Sequence, residues 1–235
     1  MNDIIERIQQ DILNPEVSLS TILFKAKVLA YKLKNEKFKQ WVKCELDGYP
    51  DAIDLPDYRR IEAPLVAFIF NGFNGQRNVP ISLSSCPDWF QEVAGVIRFT
   101  SGIRTAEALS RREDMVSSPW QAEWIAVWNQ HNPLGAGGHR AVEVNRPVTP
   151  ASFTQMVETV RSRLQDFILE LSDISWDMSD RPLPSEQIEN LVAITIYNSN
   201  ESKTTSTFDQ RDQQVQNQSN VARDINTSSG PTGSD

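Results

Sequence analysis

Apolar residues recur every three or four positions through the first fifty residues, alternate through much of the middle, and return to a helical period after residue 150. Ile4, Ile5, Ile8 and Ile12, with Leu13, form one stripe on a first helix that Asn14-Pro15 ends. Ile22, Leu23, Ala26, Leu29, Ala30 and Leu33 form the stripe of a second helix, with Ser18 or Ser20 placed to cap it. Lys25, Lys27, Lys32 and Lys34 occupy its other faces. Asn35 opens a third helix whose inner face is Phe38, Trp41, Val42 and Leu46, and Gly48 stands where a left-handed closing residue is wanted. So short a connection predicts an antiparallel hairpin of the second and third helices, closed into a small bundle by the first.

From Ile61 to Phe70 the pattern becomes a nearly continuous apolar run, IEAPLVAFIF, with the β-branched and aromatic content of a strand. The turn cluster Asn71–Gly75 and the alternating Val79, Ile81 and Leu83 make residues 61–83 a β-hairpin, with Pro64 at an edge or strand start. Residues 87–99 read as a helix with Trp89, Phe90, Val93 and Val96 or Ile97 inward. Residues 102–114, carrying Arg104, Arg111 and Arg112, read as a more exposed one. Ser118-Pro119 begins a further helix on which Trp120, Trp124 and Trp128 share a face, with a strand as the competing reading. Such a stripe resembles a base-stacking platform, but fits a core or a protein interface better. Val142 and Val144 mark a strand that extends the hairpin's sheet. Thr149-Pro150 then starts a long closing helix with Phe153, Met156, Val157, Val160, Leu164, Phe167, Ile168 and Leu171 inward. Arg161 and Arg163 flank it, Arg163 within reach of Asp166. The fold class is α+β, over residues 1–175.

The remainder differs in kind. Residues 176–187, with Pro182 and Pro184, read as a linker, and Val192, Ile194 and Ile196 alternate as a strand within 188–198. A tract rich in Ser, Thr, Gln and Asn follows to residue 235. Its composition fits either a disordered tail or a conditional β-assembly element built on Gln/Asn ladders. In the second reading Ile194, Ile196, Phe208, Gln210, Val215, Val221 and Ile225 mediate self-association, and Arg211, Asp212, Arg223 and Asp224 keep the assembly small.

A formal charge of −8 over 235 residues and a pI near 4.9 argue against non-specific binding to nucleic acid or anionic membrane. The N-terminus lacks the apolar run of a signal peptide, and no segment reaches membrane-spanning length, so a cytoplasmic protein is expected. Cys44 and Cys86 read as reduced thiols; with His131 and His139 they reach no metal-ligand spacing. The loop NPLGAGG lacks the Gly-Lys-Ser/Thr ending of a phosphate loop, and no G-x-S-x-G elbow occurs. No cofactor, no metal and no enzymatic activity are expected.

Glu45 breaks the pattern, because it shares the apolar face of Phe38 and Trp41. A carboxylate there needs a partner, and Arg59 and Arg60, just beyond the Leu55-Pro56-Asp57-Tyr58 turn, are nearest in sequence. The pair is either a structural pin or part of a functional acid site. The wording around it, a helix S-L-S-x-x-L-x-K-A-K-x-L-A followed by F-x-x-W-V-x-x-E-L-D-G-Y-P and L-P-D-Y-R, resembles the AbiTii domain. The resemblance rests on Trp41, Glu45, Gly48, Tyr49, Pro56, Asp57, Tyr58 and Arg59, with the helix around Val160–Phe167 as its close. It implies an abortive-infection role against phage and carries no catalytic residues with it. The expected function is a non-catalytic defence module acting through protein association, as a homo-oligomer or on a partner protein. The alternative is a small toxin or nuclease with its site near Glu45, Asp57, Tyr58 and Arg59. The tail wording F-D-Q-R-x-Q-x-V also resembles tail motifs of bacterial signalling and defence proteins, which implies homotypic association.

Overall fold

The computed structural model describes residues 2–51, 53–132, 139–177 and 184–197. Its helical layer contains α1 (Asn2–Ile12), α2 (Leu19–Leu33), α3 (Glu36–Asp47), α5 (Ile103–Ser110), α7 (Pro150–Asp177) and α8 (Ser185–Thr195). Ser18 caps α2, its side chain accepting from the Thr21 amide, and the Asn35 side chain accepts from the Phe38 amide at 2.9 Å to open α3. The predicted stripes of α1, α2, α3 and α7 meet in one core, in which Ile8, Leu23, Leu29, Phe38, Val160, Leu164 and Phe167 are fully buried. Phe38 and Phe167 touch with ring centroids 4.3 Å apart.

A four-stranded antiparallel sheet of order β3-β2-β6-β5 makes the second layer, from β2 (Val66–Phe70), β3 (Gly75–Pro80), β5 (Val116–Pro119) and β6 (Arg140–Val148). Short helices α4 (Asp88–Ala94) and α6 (Ala122–His131) cover it, over Phe90, Trp120, Trp128 and Val144. The hairpin and its extension by β6 form, but within narrower bounds than 61–83: Ile61 belongs to a separate strand paired with residues 96–98, and Ile81 and Leu83 lie beyond β3. Opposite Phe68 both neighbouring strands carry extra residues, with Asn78 at φ 58° on β3 and Val142 unpaired on β6. That bulge turns Val142 outward, so it does not share the buried face of Val144. A separate two-stranded ribbon pairs β1 (Arg60–Glu62) with β4 (Val96–Arg98).

Several expectations are corrected. The helix of 87–99 stops at Ala94, because Gly95 and the β-branched pair Val96-Ile97 lead into β4; Trp89 and Val93 are exposed and only Phe90 of that set is fully buried. Helix α5 is central rather than exposed. Ile103 and Ala106 have no exposed surface, and the buried Glu107 accepts the Leu19 amide at 2.6 Å, closing the start of α2. Its arginines alone made it look like a surface helix. Trp120 precedes α6 rather than lying on it, yet its indole is buried and donates to the Ala94 carbonyl at 3.1 Å. Arg163 turns to the Ile196 carbonyl (2.5 Å) instead of Asp166.

Residues 188–195 are helical, not a strand. Ile188, Leu191, Val192 and Ile196 follow the helical period and bury themselves against the bundle, while the alternating set divides, Ile196 being 1 % exposed and Ile194 48 %. Over so short a window both periods fit the same residues. Phe208, Gln210, Val215, Val221 and Ile225, the tail and residues 178–183 of the linker lie outside the described residues, as does most of the 132–138 loop; the rest of the linker is corrected, since 176–177 end α7 and 185–187 begin α8. No helix among the described residues is long and apolar enough to cross a membrane.

Candidate functional site

The residues from Trp41 to Arg59 converge on one carboxylate. Helix α3 carries Glu45 on its inner face and ends, as expected, at Gly48, whose φ of 102° is a left-handed value that favours glycine, although its ψ of 165° is not that of an αL cap. A Cβ there would lie 2.8 Å from the Thr100 carbonyl, so only glycine lets the chain turn tightly against the start of α5. The next amide, of Tyr49, donates to that carbonyl at 2.8 Å and swings the phenol back under the helix. Eight residues later a single 3-10 turn (Asp57–Arg59) follows Pro56, whose carbonyl accepts the Arg59 amide at 2.9 Å. That turn points Tyr58 and Arg59 at the same place and leaves Asp57 in solvent.

At the centre Glu45 Oε1 accepts from Tyr49 (2.5 Å) and Tyr58 (2.6 Å), while Oε2 accepts from Arg59 Nη2. Trp41 Nε1 donates to the Tyr58 oxygen at 3.0 Å, and Arg59 Nη1 donates to the Ser101 carbonyl at 2.8 Å. The Arg59 guanidinium also lies 5.3 Å from the Tyr49 ring centroid and 5.7 Å from that of Phe99. Both Glu45 and Arg59 are completely buried. Burial first, and the neighbouring Glu45 charge second, push the Tyr49 and Tyr58 phenols far above the ordinary tyrosine range, so both remain protonated donors.

Arg59, not Arg60, is thus the partner of Glu45. Arg60 stays on the exposed side, 3.9 Å from Asp57. Trp41, Glu45, Tyr49, Tyr58 and Arg59 come together; Gly48 and Pro56 shape the backbone that brings them; Asp57 stands apart. One member escaped the sequence reading. Arg163 of α7 lies over the Tyr58 ring at 4.5 Å, and nothing in its helical spacing marks it. The network ties α3, the 3-10 turn, the loop before α5 and α7 into one body.

The AbiTii family model matches residues 3–190. The chain belongs to the AbiTii family. The match covers most of the described residues, extends into α8, and includes every member of the buried network. AbiTii is an abortive-infection family, which associates this chain with anti-phage defence. No curated protein and no solved structure matches it.

Chemically, the AbiTii signature residues do one visible thing here. The carboxylate has a donor on each oxygen and no exposed surface, so it is closed to a ligand unless the turn opens. Among the described residues no three His, Cys, Asp or Glu side chains gather closely enough to hold a metal ion. Cys44, behind the network, is buried and its thiol is pushed up by that burial. The outer surface differs. Phe24, Val28 and Tyr31, at the first, fifth and eighth positions of one face of α2, are each at least half exposed. The sequence signal was a second apolar stripe on α2, hidden behind the stronger inward one.

Proposed function

We propose that this AbiTii chain is a non-catalytic abortive-infection module that acts in the cytoplasm by associating with acidic protein surface, a second copy of itself first among them. The observation that carries this reading is the outer face of the α2–α3 hairpin. Phe24, Val28 and Tyr31 are exposed there in line, and residues 25–43 hold seven lysines against one glutamate on a chain of net charge −8. An apolar stripe with a rim of one sign fits an interface whose partner bears the opposite sign. The remainder of this chain is strongly acidic, carrying −14 by formal count once the +6 of residues 25–43 is taken from the total of −8. The closed Glu45 network supports the same reading, since its acid serves packing, whereas a toxin or nuclease site there would need an accessible carboxylate.

The tail beyond Asn198 is proposed to reinforce that association or to contact an effector. Phage challenge of cells making the full chain or a chain cut after Asn198, at matched levels, tests its part, with sedimentation of both proteins in low and high salt. The expected result is a salt-sensitive oligomer and protection by the full chain, both weakened by the cut. A monomer at every salt concentration, or binding of the lysine-rich face to nucleic acid instead of protein, would overturn the reading.

A further inference from the structure

A cleft of about 850 Å³ opens between the β1–β4 ribbon and the β5 side of the larger sheet. Volumes of this order hold small-molecule ligands. Arg146 of β6 forms part of its wall and is 7 % exposed. Unlike Arg59, it has no carboxylate within ion-pair distance among the described residues. Its Nη1 donates to the carbonyls of Val96 (3.1 Å) and Ala94 (3.4 Å), its Nη2 to Ser118 Oγ (3.0 Å), and its Nε–H reaches no protein acceptor. The Nε–Nη2 edge of a guanidinium is one that takes an oxyanion through two parallel hydrogen bonds. A buried guanidinium held only by neutral groups is costly without an anion, and its burial lowers its affinity for the proton.

Two further guanidiniums line the same cleft. Arg60 and Arg98 are direct cross-strand partners on the ribbon, both exposed. Like charges placed opposite each other destabilise a strand pair, and an anion between them would reverse the sign of that interaction. Trp124, half-buried, adds an aromatic wall beside Arg146, which lies 5.4 Å from its ring centroid. Asp57, Glu62 and Glu92 complete the charged lining. Those carboxylates disfavour a bare polyanion, but they accept hydrogen bonds from hydroxyl and amino groups.

We infer that this cleft binds a nucleoside phosphate, with the phosphate on Arg146, Arg98 and Arg60, the base against Trp124, and sugar hydroxyls or base amino groups on the carboxylates. This goes beyond the association reading and does not depend on it. The test is calorimetric titration of the full chain with each of the four ribonucleoside 5′-monophosphates, and with inorganic phosphate and the bare nucleosides alongside. Saturable binding of at least one nucleotide is expected, tighter than phosphate or nucleoside alone. R98E should weaken it by roughly tenfold or more. Because Arg98 is exposed, this variant keeps or raises the melting temperature, so lost binding is not lost folding. R146K, which keeps the charge and removes the fork, should also weaken binding. If no nucleotide binds, if R98E binds as tightly as the unaltered chain, or if phosphate alone binds as well as the nucleotide, the inference is wrong.

Discussion

Replacing Glu45 by Gln keeps the shape of the side chain and removes the charge on which four neighbours are arranged. The amide oxygen can still accept from Tyr49 and Tyr58. The amide nitrogen, however, faces Arg59 Nη2, so two donors meet where a charge-assisted bond stood. Arg59 has no exposed surface through which water could compensate. Removing one member of a buried pair costs about 3–5 kcal/mol, because the other charge stays buried. The surviving tyrosine bonds place E45Q toward the lower end. At about 2–4 °C per kcal/mol for a chain of this size, a loss near 3 kcal/mol should lower the melting temperature by about 6–12 °C. R59M should lose a similar amount, and the double substitution should cost less than the sum, with a coupling of up to about 3 kcal/mol. Urea unfolding followed by circular dichroism, run on all four proteins, gives these values directly. An E45Q protein within about 0.5 kcal/mol of the unaltered chain, the range of ordinary surface changes, would refute the pin.

Alkaline titration should report the same network from the other side. The folded state holds Tyr49 and Tyr58 protonated well above their ordinary pKa of 10.0, so stability is level below that pH and falls as pH rises beyond it. Each phenol should contribute a slope of about 1.4 kcal/mol per pH unit, and Y49F/Y58F should flatten the fall; equal slopes in both proteins would refute this. The helical assignment of 185–195 predicts that I196A costs about 2–5 kcal/mol and I194A less than about 1, as equilibrium unfolding would show. Equal costs would restore the strand.

Much of the bundle was legible because its helices carry one dominant stripe each and are capped by Ser18 and Asn35. The hairpin was legible for a similar reason, since Asn71–Gly75 punctuates two runs of strand period. What the sequence concealed depended on contacts distant along the chain. Helix α5 is short and arginine-rich, and its central position comes from Glu107 closing α2 and from Gly102, where a Cβ would lie only 2.3 Å from the Leu46 carbonyl. Residues 188–196 satisfy two periods at once, and only the packing surface offered by α7 and α3 chooses between them. Glu45 was legible as an anomaly and its partner lay fourteen residues on, within reach of inspection. The guanidinium of Arg146 was not, because the strand pattern is marked only by Val142 and Val144, and the neighbours of Arg146 come from β4, β5 and α4.

The most direct measurement is phage protection by two variants at matched levels of folded protein, F24E/Y31E and E45Q. The first alters only exposed positions on α2 and should melt within a few degrees of the unaltered chain; the second should melt well below it but fold at lower temperature. If defence works through association at the α2 face and Glu45 is a structural pin, F24E/Y31E loses protection while folded E45Q retains it. Loss of protection in folded E45Q, with F24E/Y31E fully protective, would contradict that claim and place the functional group at Glu45.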